Sequence, residues 1–515
     1  MSRRQPRLWL GLVLALSLPG CGGSRRDSDA IIVGMTNSAI NLDPRVGTDE
    51  ASQKVHQLIF SPLFRVDDRL RVVPELAAAP FEQPEPGTYI VRLRHGVLFH
   101  DGRELSSDDV VYTFKSFLDP KFRGRTAAYR VLASVTPLDR YTVEFTLKSP
   151  VASFPINLVM GIVQAGSGAA NTRHPIGTGP YRLAEFVSDD RVVLTPFEQY
   201  YGGRPRNDGL VLKVIPDDTM RGLELRKGSV DLIVNDLAPD VVSQLQQEGR
   251  VHLETALGTD YAYLGLNLRD PILGHVEVRK AIGYAIDRDA IVRYLRRGFA
   301  KVAVGIVPPM SWAFEPNVFD FKHDTAEAAR LLDAAGYPDP DGTGPLPRFH
   351  LSLKTSTSEV YRLQTAAIQQ DLARVGIAVD IRSSEFQTLS ADVVRGNFQM
   401  YSLQFVGVTD PDMLRLVYHS QLQPPAGLNR VHYVNADVDR YIEQAGATAD
   451  DVERGRLYTK AQQQIAEDVP YISLWYKTNV AIFQPEIHGV TLSPIADFTF
   501  LKDVYREPKA VVTHP

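Results

Sequence analysis

A single cysteine, Cys21, occurs in the 515 residues. No disulfide can therefore form within the chain, and no set of thiolates is available to a metal. Long apolar runs are missing too. The one greasy stretch, about eleven residues from Leu8 to Leu18, falls short of the ~20 that a spanning helix needs. Basic charge is scarce: 56 Lys and Arg stand against 61 Asp and Glu. Without residues 1–20, which carry Arg3, Arg4 and Arg7, the balance is 53 to 61, a net charge of −8. A chain so acidic, with no basic tract, does not suit nucleic acid or an anionic membrane surface. Enzyme signatures are also lacking: G-x-S-x-G, H-E-x-x-H, Walker A, C-x-x-C and a G-x-G-x-x-G following a strand. The expectation is a protein that catalyses nothing and carries no cofactor.

What is present begins at the N-terminus. Arg3, Arg4 and Arg7 precede the apolar run, which ends in Leu18-Pro19-Gly20-Cys21. A basic cluster, a short apolar segment and a small-residue junction are the three parts of a secretory signal. The junction resembles a bacterial lipobox, which implies cleavage before Cys21, diacylation of its thiol and a membrane tether. An ordinary signal peptide with a chance cysteine is the alternative. Residues 1–20 are thus expected as a lipoprotein signal and 21–29 as a small, polar tether.

At 44% hydrophobic and 23% charged, the chain as a whole is ordinary globular material long enough for more than one lobe. Residues 31–35 read as a strand, and 88–94 and 141–147 alternate with period two. Between them Ser106 and Asp109 form a capping-box start to a helix that Pro120 closes. Beyond about residue 275 helices dominate: one over 276–297, one from Asp324 through Ala335, and one capped by Asp450 and Glu453. Strand-like runs at 349–354, 377–382 and 472–476 alternate with them, so the class is α/β. Asp339-Pro340-Asp341-Gly342-Thr343-Gly344 imitates a calcium loop, but its twelfth position is His350 rather than a bidentate glutamate. A polar turn is the expected reading, and no metal site is implied.

Nine segments occur in order along the mature chain. They are Asn41-Leu42-Asp43-Pro44, Phe60-Ser61-Pro62-Leu63, Pro74-Glu75-Leu76-Ala77, and the stretch from Leu93 through His100-Asp101-Gly102 to Phe114. Then come Pro175-Ile176-Gly177-Thr178-Gly179-Pro180-Tyr181, Tyr200-Tyr201-Gly202-Gly203-Arg204-Pro205 and Gly228-Ser229-Val230-Asp231. Last are Val278-Arg279-Lys280-Ala281-Ile282-Gly283-Tyr284-Ala285-Ile286-Asp287-Arg288 and Ala329-Arg330-Leu331-Leu332-Asp333-Ala334-Ala335-Gly336-Tyr337. Together they resemble the extracellular solute-binding proteins of ABC importers in the oligopeptide, dipeptide and nickel class. Read from the residues alone, Gly177 and Gly179 suit a tight turn with positive φ, and Arg279, Asp287 and Arg288 suit ties between a helix and its loops.

The resemblance implies a two-lobed periplasmic-binding-protein fold, type II-like, with an extra subdomain on the first lobe. Two crossing strands are expected near 261–267 and 475–480. The first lobe would hold 30–266 and 480–515, with 55–172 as the appended subdomain, and the second 267–479. The solute would be a peptide or similar oligomer, trapped as the lobes close. The partners would be permease subunits with their ATPases, and the protein would act as a monomer at the periplasmic or extracytoplasmic face. By position, Asn37 and Ser38 follow the first strand, Tyr261, Tyr263 and Asn267 flank the first crossing, and Trp475 and Tyr476 flank the second. The aromatic residues among them are open to either pocket lining or core packing. Peptide binders of the class hold the α-amine with an aspartate near a Gly-Trp segment of the second lobe. The comparable stretch runs Gln404-Phe405-Val406-Gly407-Val408-Thr409-Asp410, where that acid falls near Gly407 and the tryptophan is missing. Asp410 is the available substitute. Two alternatives stay open: a surface lipoprotein acting as receptor or chaperone, and a binder of an oligosaccharide or metal chelate.

Overall fold

The computed structural model describes residues 30–507, residue 343 excepted. The signal segment 1–20, the tether 21–29 and Cys21 lie outside the described residues. One mixed sheet of eleven strands runs through the protein, and a separate four-stranded sheet belongs to the early part of the chain. Two long strands tie the large sheet together. The first crossing strand, His252–Leu266, pairs antiparallel with the second, Tyr471–Phe483, along nearly its whole length. Their register breaks between Leu257 and Tyr261, where Gly258, Thr259 and Asp260 stand out of the ladder.

On one side of that break the crossing strands continue into Leu232–Val234, Ile31–Met35 and Leu210–Val214, which are parallel to one another. On the other side they continue into Met400–Phe405, Phe349–Ser356 and Ile377–Ser384, again mutually parallel. Val234 pairs with Ala481 and Phe405 with Tyr261, so in each half the strand ends nearest the break are carboxyl ends. This is the two-lobed α/β architecture. The four-stranded sheet, ordered Glu82–Glu85, Thr88–Arg92, Thr142–Leu147, Leu132–Asp139, closes its own core around Phe99, Phe114 and Phe145.

Local chemistry explains most of the elements. Asp109 accepts the Ser106 N–H at 2.9 Å, starting the helix Ser107–Lys115. Asp324 and Asp450 cap Thr325–Ala334 and Asp451–Asp468 through backbone N–H groups of their first turns. The helix expected over 276–297 is instead two, Val276–Ala285 and Arg288–Tyr294. The break has a cause: Asp287 turns its side chain onto the Ala290 N–H at 2.8 Å and caps a new helix. Arg279 is buried and donates to the carbonyls of Leu273, Gly274, Asp468 and Val469 at 2.9–3.1 Å. It satisfies a helix end and a loop at once. Gly177 and Gly179 differ from expectation, because neither is among the positive-φ residues. A Cβ on Gly177 would stand 2.0 Å from the Ile59 carbonyl oxygen, so close backbone approach is what requires glycine there. Residues 339–342 form a polar turn, with Asp339 accepting the N–H groups of Asp341 and Gly342.

Candidate functional site: the cleft at the crossing strands

Open α/β sheets bind ligands beyond the carboxyl ends of their strands, because loops and helix N-termini gather there. This chain points two such sets of ends toward one break. The site is therefore built from the loops after Met35, Val234 and Phe405 and from the bulged crossing at 258–260.

On the first-lobe side, Asp236 accepts the Thr36 N–H at 3.3 Å and lies 3.4 Å from Lys54 Nζ. Lys54 is buried, also pairs with Glu50 at 2.9 Å, and sits 5.1 Å from the centre of the Phe498 ring. Asn37 is exposed, and Ser38 is half-buried with its Oγ accepting the Asp189 N–H at 3.0 Å. Asn235 holds the crossing itself: its Oδ1 accepts the Val480 N–H at 2.9 Å and its Nδ2 donates to Asn479 at 3.1 Å.

On the second-lobe side, the strand Met400–Phe405 is followed by Val406, an exposed valine at 72%. Gly407 follows with φ +66°, a left-handed conformation that favours glycine, and its N–H donates to Asp260 at 2.9 Å. Val408 N–H reaches the Thr259 carbonyl at 3.2 Å, so this loop is laced to the bulge. Asp410 comes next and is half-buried. It accepts the Asp412 N–H at 2.8 Å and forms no ion pair among the described residues. Burial pushes its carboxyl up to about 6. The Asp412 N–H and the Arg454 guanidinium pull it down, while the Asp412 and Asp451 carboxylates push it further up. Asp412, by contrast, is satisfied by Arg415 at 3.2 Å and by Ser153 Oγ at 3.2 Å.

The aromatic residues expected near the crossings fill cores instead of facing open space. Tyr261 is 1% exposed, with its hydroxyl 2.7 Å from Ser473 Oγ. Tyr263 is fully buried and stacks on Phe405 at 4.7 Å between ring centres. Tyr476 donates to the Gly305 carbonyl at 2.6 Å, and Trp475 packs on the opposite face of the sheet. Asn267 is structural too, with Nδ2 donating to the Phe398 carbonyl at 2.8 Å. Gln404 is half-buried opposite Ala262. The period-two alternation of the crossing strands puts these side chains on sheet faces that helices cover. What faces the cleft is the loop residues one step beyond the strands. Lys54, Asp236 and Asp260 belong to the same region, and no local pattern in the sequence marks them.

The lobes also touch away from the crossing. Arg71 pairs with Asp451 at 3.2 Å and lies 5.6 Å from the centre of the Trp312 ring, which Arg454 faces at 5.0 Å. Ala152 N–H bonds the Gly446 carbonyl at 3.0 Å. Inside the second lobe, a cavity of about 40 Å³ is lined by Arg288, Tyr418, Gln462 and Ser473. It has room for a water or two and not for a peptide. Among the described residues no group of three or more His, Cys, Asp or Glu is arranged to hold a metal ion, and no helix is long and apolar enough to cross a membrane.

Comparison with known proteins agrees with this geometry. Oligopeptide-binding protein AppA of Bacillus subtilis is 28% identical over 536 residues, covering 96% of this chain and 98% of its own. Its structure with a nonapeptide superposes with a TM-score of 0.74 at 26% identity, covering 93% of this chain and 99% of that one. Glutathione-binding protein GsiB of Escherichia coli K12 is 28% identical over 507 residues, covering 95% of this chain and 96% of its own. The substrate-binding protein CtaP of Listeria monocytogenes gives a TM-score of 0.83 at 25% identity, covering 93% and 100%. The model of the bacterial extracellular solute-binding proteins, family 5, matches residues 71–423, more than half of the chain. The chain therefore belongs to the bacterial extracellular solute-binding proteins of family 5, the peptide and nickel class that serves ABC importers.

Proposed function

We propose that this protein is the lipid-anchored solute-binding component of an ABC importer, which closes two lobes on a peptide and delivers it to permease subunits with their ATPases. Cys21 carries the lipid, and the mature chain works as a monomer at the extracytoplasmic face, with no bond made or broken. The lobes divide at the register break, so the first holds residues up to about 257 and from about 478, and the second holds 258–477. This moves the first boundary about nine residues before 266, since 261–266 pair with Met400–Phe405. Asn37, Ser38, Gly407 and Asp410 contribute from the loops, while Tyr261, Tyr263, Asn267, Phe405, Trp475 and Tyr476 support them from behind.

The observation that carries the reading is Asp410. It is a half-buried carboxylate in the loop after the strand Met400–Phe405, with a raised proton affinity and no ion-pair partner among the described residues. An α-ammonium would supply that partner, and relatives named for oligopeptide and glutathione binding supply the class of solute. Gly407, standing near where the class places its own aspartate, leaves a non-peptide solute as the competing reading. Thermal denaturation in the presence of pooled free tri- to hexapeptides separates the two. The melting temperature is expected to rise with concentration as RT ln(1 + [L]/Kd). No shift with any peptide pool, and a shift with oligosaccharides or metal chelates, would transfer the site to those solutes.

A further inference from the structure

Two guanidinium groups face one indole ring where the lobes meet away from the crossing. Trp312 belongs to the second lobe, where it packs on Tyr458 at 6.1 Å between ring centres and on the core around Tyr261 and Leu403. Arg454, on the helix Asp451–Asp468, lies 5.0 Å from the Trp312 ring and pairs with one oxygen of Asp451 at 3.2 Å. Arg71 approaches from the first lobe, 5.6 Å from the same ring, and takes the other oxygen of Asp451 at 3.2 Å. It stands in the turn between the strands Phe64–Val66 and Val72–Pro74, whose Phe64 and Val72 pack into the core around Phe99, Phe114 and Phe145. Asp67 accepts the N–H groups of Arg69 and Arg71 at 2.9 and 2.8 Å, which stiffens that turn. A second contact lies along the same seam. Ala152 N–H donates to the Gly446 carbonyl at 3.0 Å, and Ser153 Oγ donates to Asp412 at 3.2 Å.

The second-lobe half of this contact is complete without Arg71. When the seam parts, Arg454 keeps Asp451, Asp412 keeps Arg415, and the half-exposed Arg71 returns to water. Parting therefore strands no buried charge, and joining adds only a shared carboxylate and a second cation at the ring, each a small gain at exposed sites. A contact so balanced can open and reform. We propose that Arg71 and the platform of Trp312, Asp451 and Arg454 form a closure latch, made when the lobes shut and lying outside the solute site, which sets how much of the empty protein is already closed. This rests on the two-lobe reading above and goes beyond it: side chains the solute never touches tune its affinity.

A contact of this exposure shifts a two-state balance about fivefold at most. Its loss takes a half-closed empty protein to about one-sixth closed. Hydrogen exchange read by mass spectrometry tests this with no solute present. Arg71→Ala and Asp451→Asn, on opposite sides of the seam, should each speed exchange of the Ala152 amide about 1.7-fold, as the open share rises from about one-half to about five-sixths. The Val143 amide, inside the four-stranded sheet, should be unaffected. No change at Ala152 in one variant or in both, or equal speeding at Val143, would overturn the latch. Calorimetry with tri-alanine and tetra-alanine gives the second reading. Each variant should weaken both peptides about threefold, in step with the closed share. Unchanged affinity for both, or a loss for one peptide alone, would overturn the assignment, the latter by making Arg71 a solute contact. If neither peptide binds the natural protein, the peptide reading fails on that result, and exchange at Ala152 alone decides the latch.

Discussion

Asp410→Asn should weaken a free-amine peptide by at least about 30-fold, because truncating one partner of a desolvated charge pair costs about 2–5 kcal/mol. N-acetylated peptides should bind the natural protein poorly and lose little further in the variant. The same substitution should stabilise the empty protein at neutral pH. The carboxyl is pushed up to about 6 in the folded chain, above its ordinary value of ~3.9 when unfolded. Between those values the folded state binds more protons, so stability falls as pH rises through the window from about 4 to about 6. At pH 7 the full penalty is present, and Asn removes it along with that part of the pH profile. Amine binding follows the opposite course, since it needs the ionised carboxylate and weakens as pH drops below 6. Isothermal titration at pH 5 and pH 7.5, with melting curves across the same range, reads both effects. Equal affinity for acetylated and free peptides would remove the amine anchor.

Arg288→Met should cost the second lobe about 3–5 kcal/mol. This guanidinium is 4% exposed. It donates to the carbonyls of Ala303 and Ser473 at 2.9 Å each, to the Phe321 carbonyl, and to Asp320 at 2.7 Å. One side chain thus pins the 303–321 segment onto the second crossing strand. Removing it strands several buried acceptors and one carboxylate, each of which costs free energy when unsatisfied. Urea unfolding followed by tryptophan fluorescence measures the loss. A change below about 1 kcal/mol would show that water replaces the guanidinium without penalty.

Legibility from sequence followed the range of the interactions. Capping boxes and caps at Ser106, Asp324 and Asp450 are local hydrogen-bond patterns, and they form where the spacing places them. The strands 349–354 and 377–382 lie inside the observed Phe349–Ser356 and Ile377–Ser384. The Asp287 break was hidden because apolar periodicity continues through it, and a capping aspartate reads like any helical surface acid. The site was harder. Position relative to the crossings suggested Tyr261, Tyr263, Trp475 and Tyr476, yet face alternation sends their side chains into the sheet's two cores. Asp236 and Lys54 meet only because segments far apart in sequence end at one place. Asp410 was legible through its neighbours Pro411 and Asp412, whereas its burial without an ion-pair partner among the described residues is a property of the folded chain alone.

Closure is the central claim, and solution scattering tests it most directly. The contacts that already bridge the lobes are few, and Arg71–Asp451 joins side chains 47% and 52% exposed, a kind of pair worth at most about 1 kcal/mol. They are too weak to hold the lobes shut, so the unliganded protein should populate open states that a solute depletes. Saturation with a peptide that raises the melting temperature should therefore lower the radius of gyration. An unchanged radius with bound peptide would contradict the two-lobe trap.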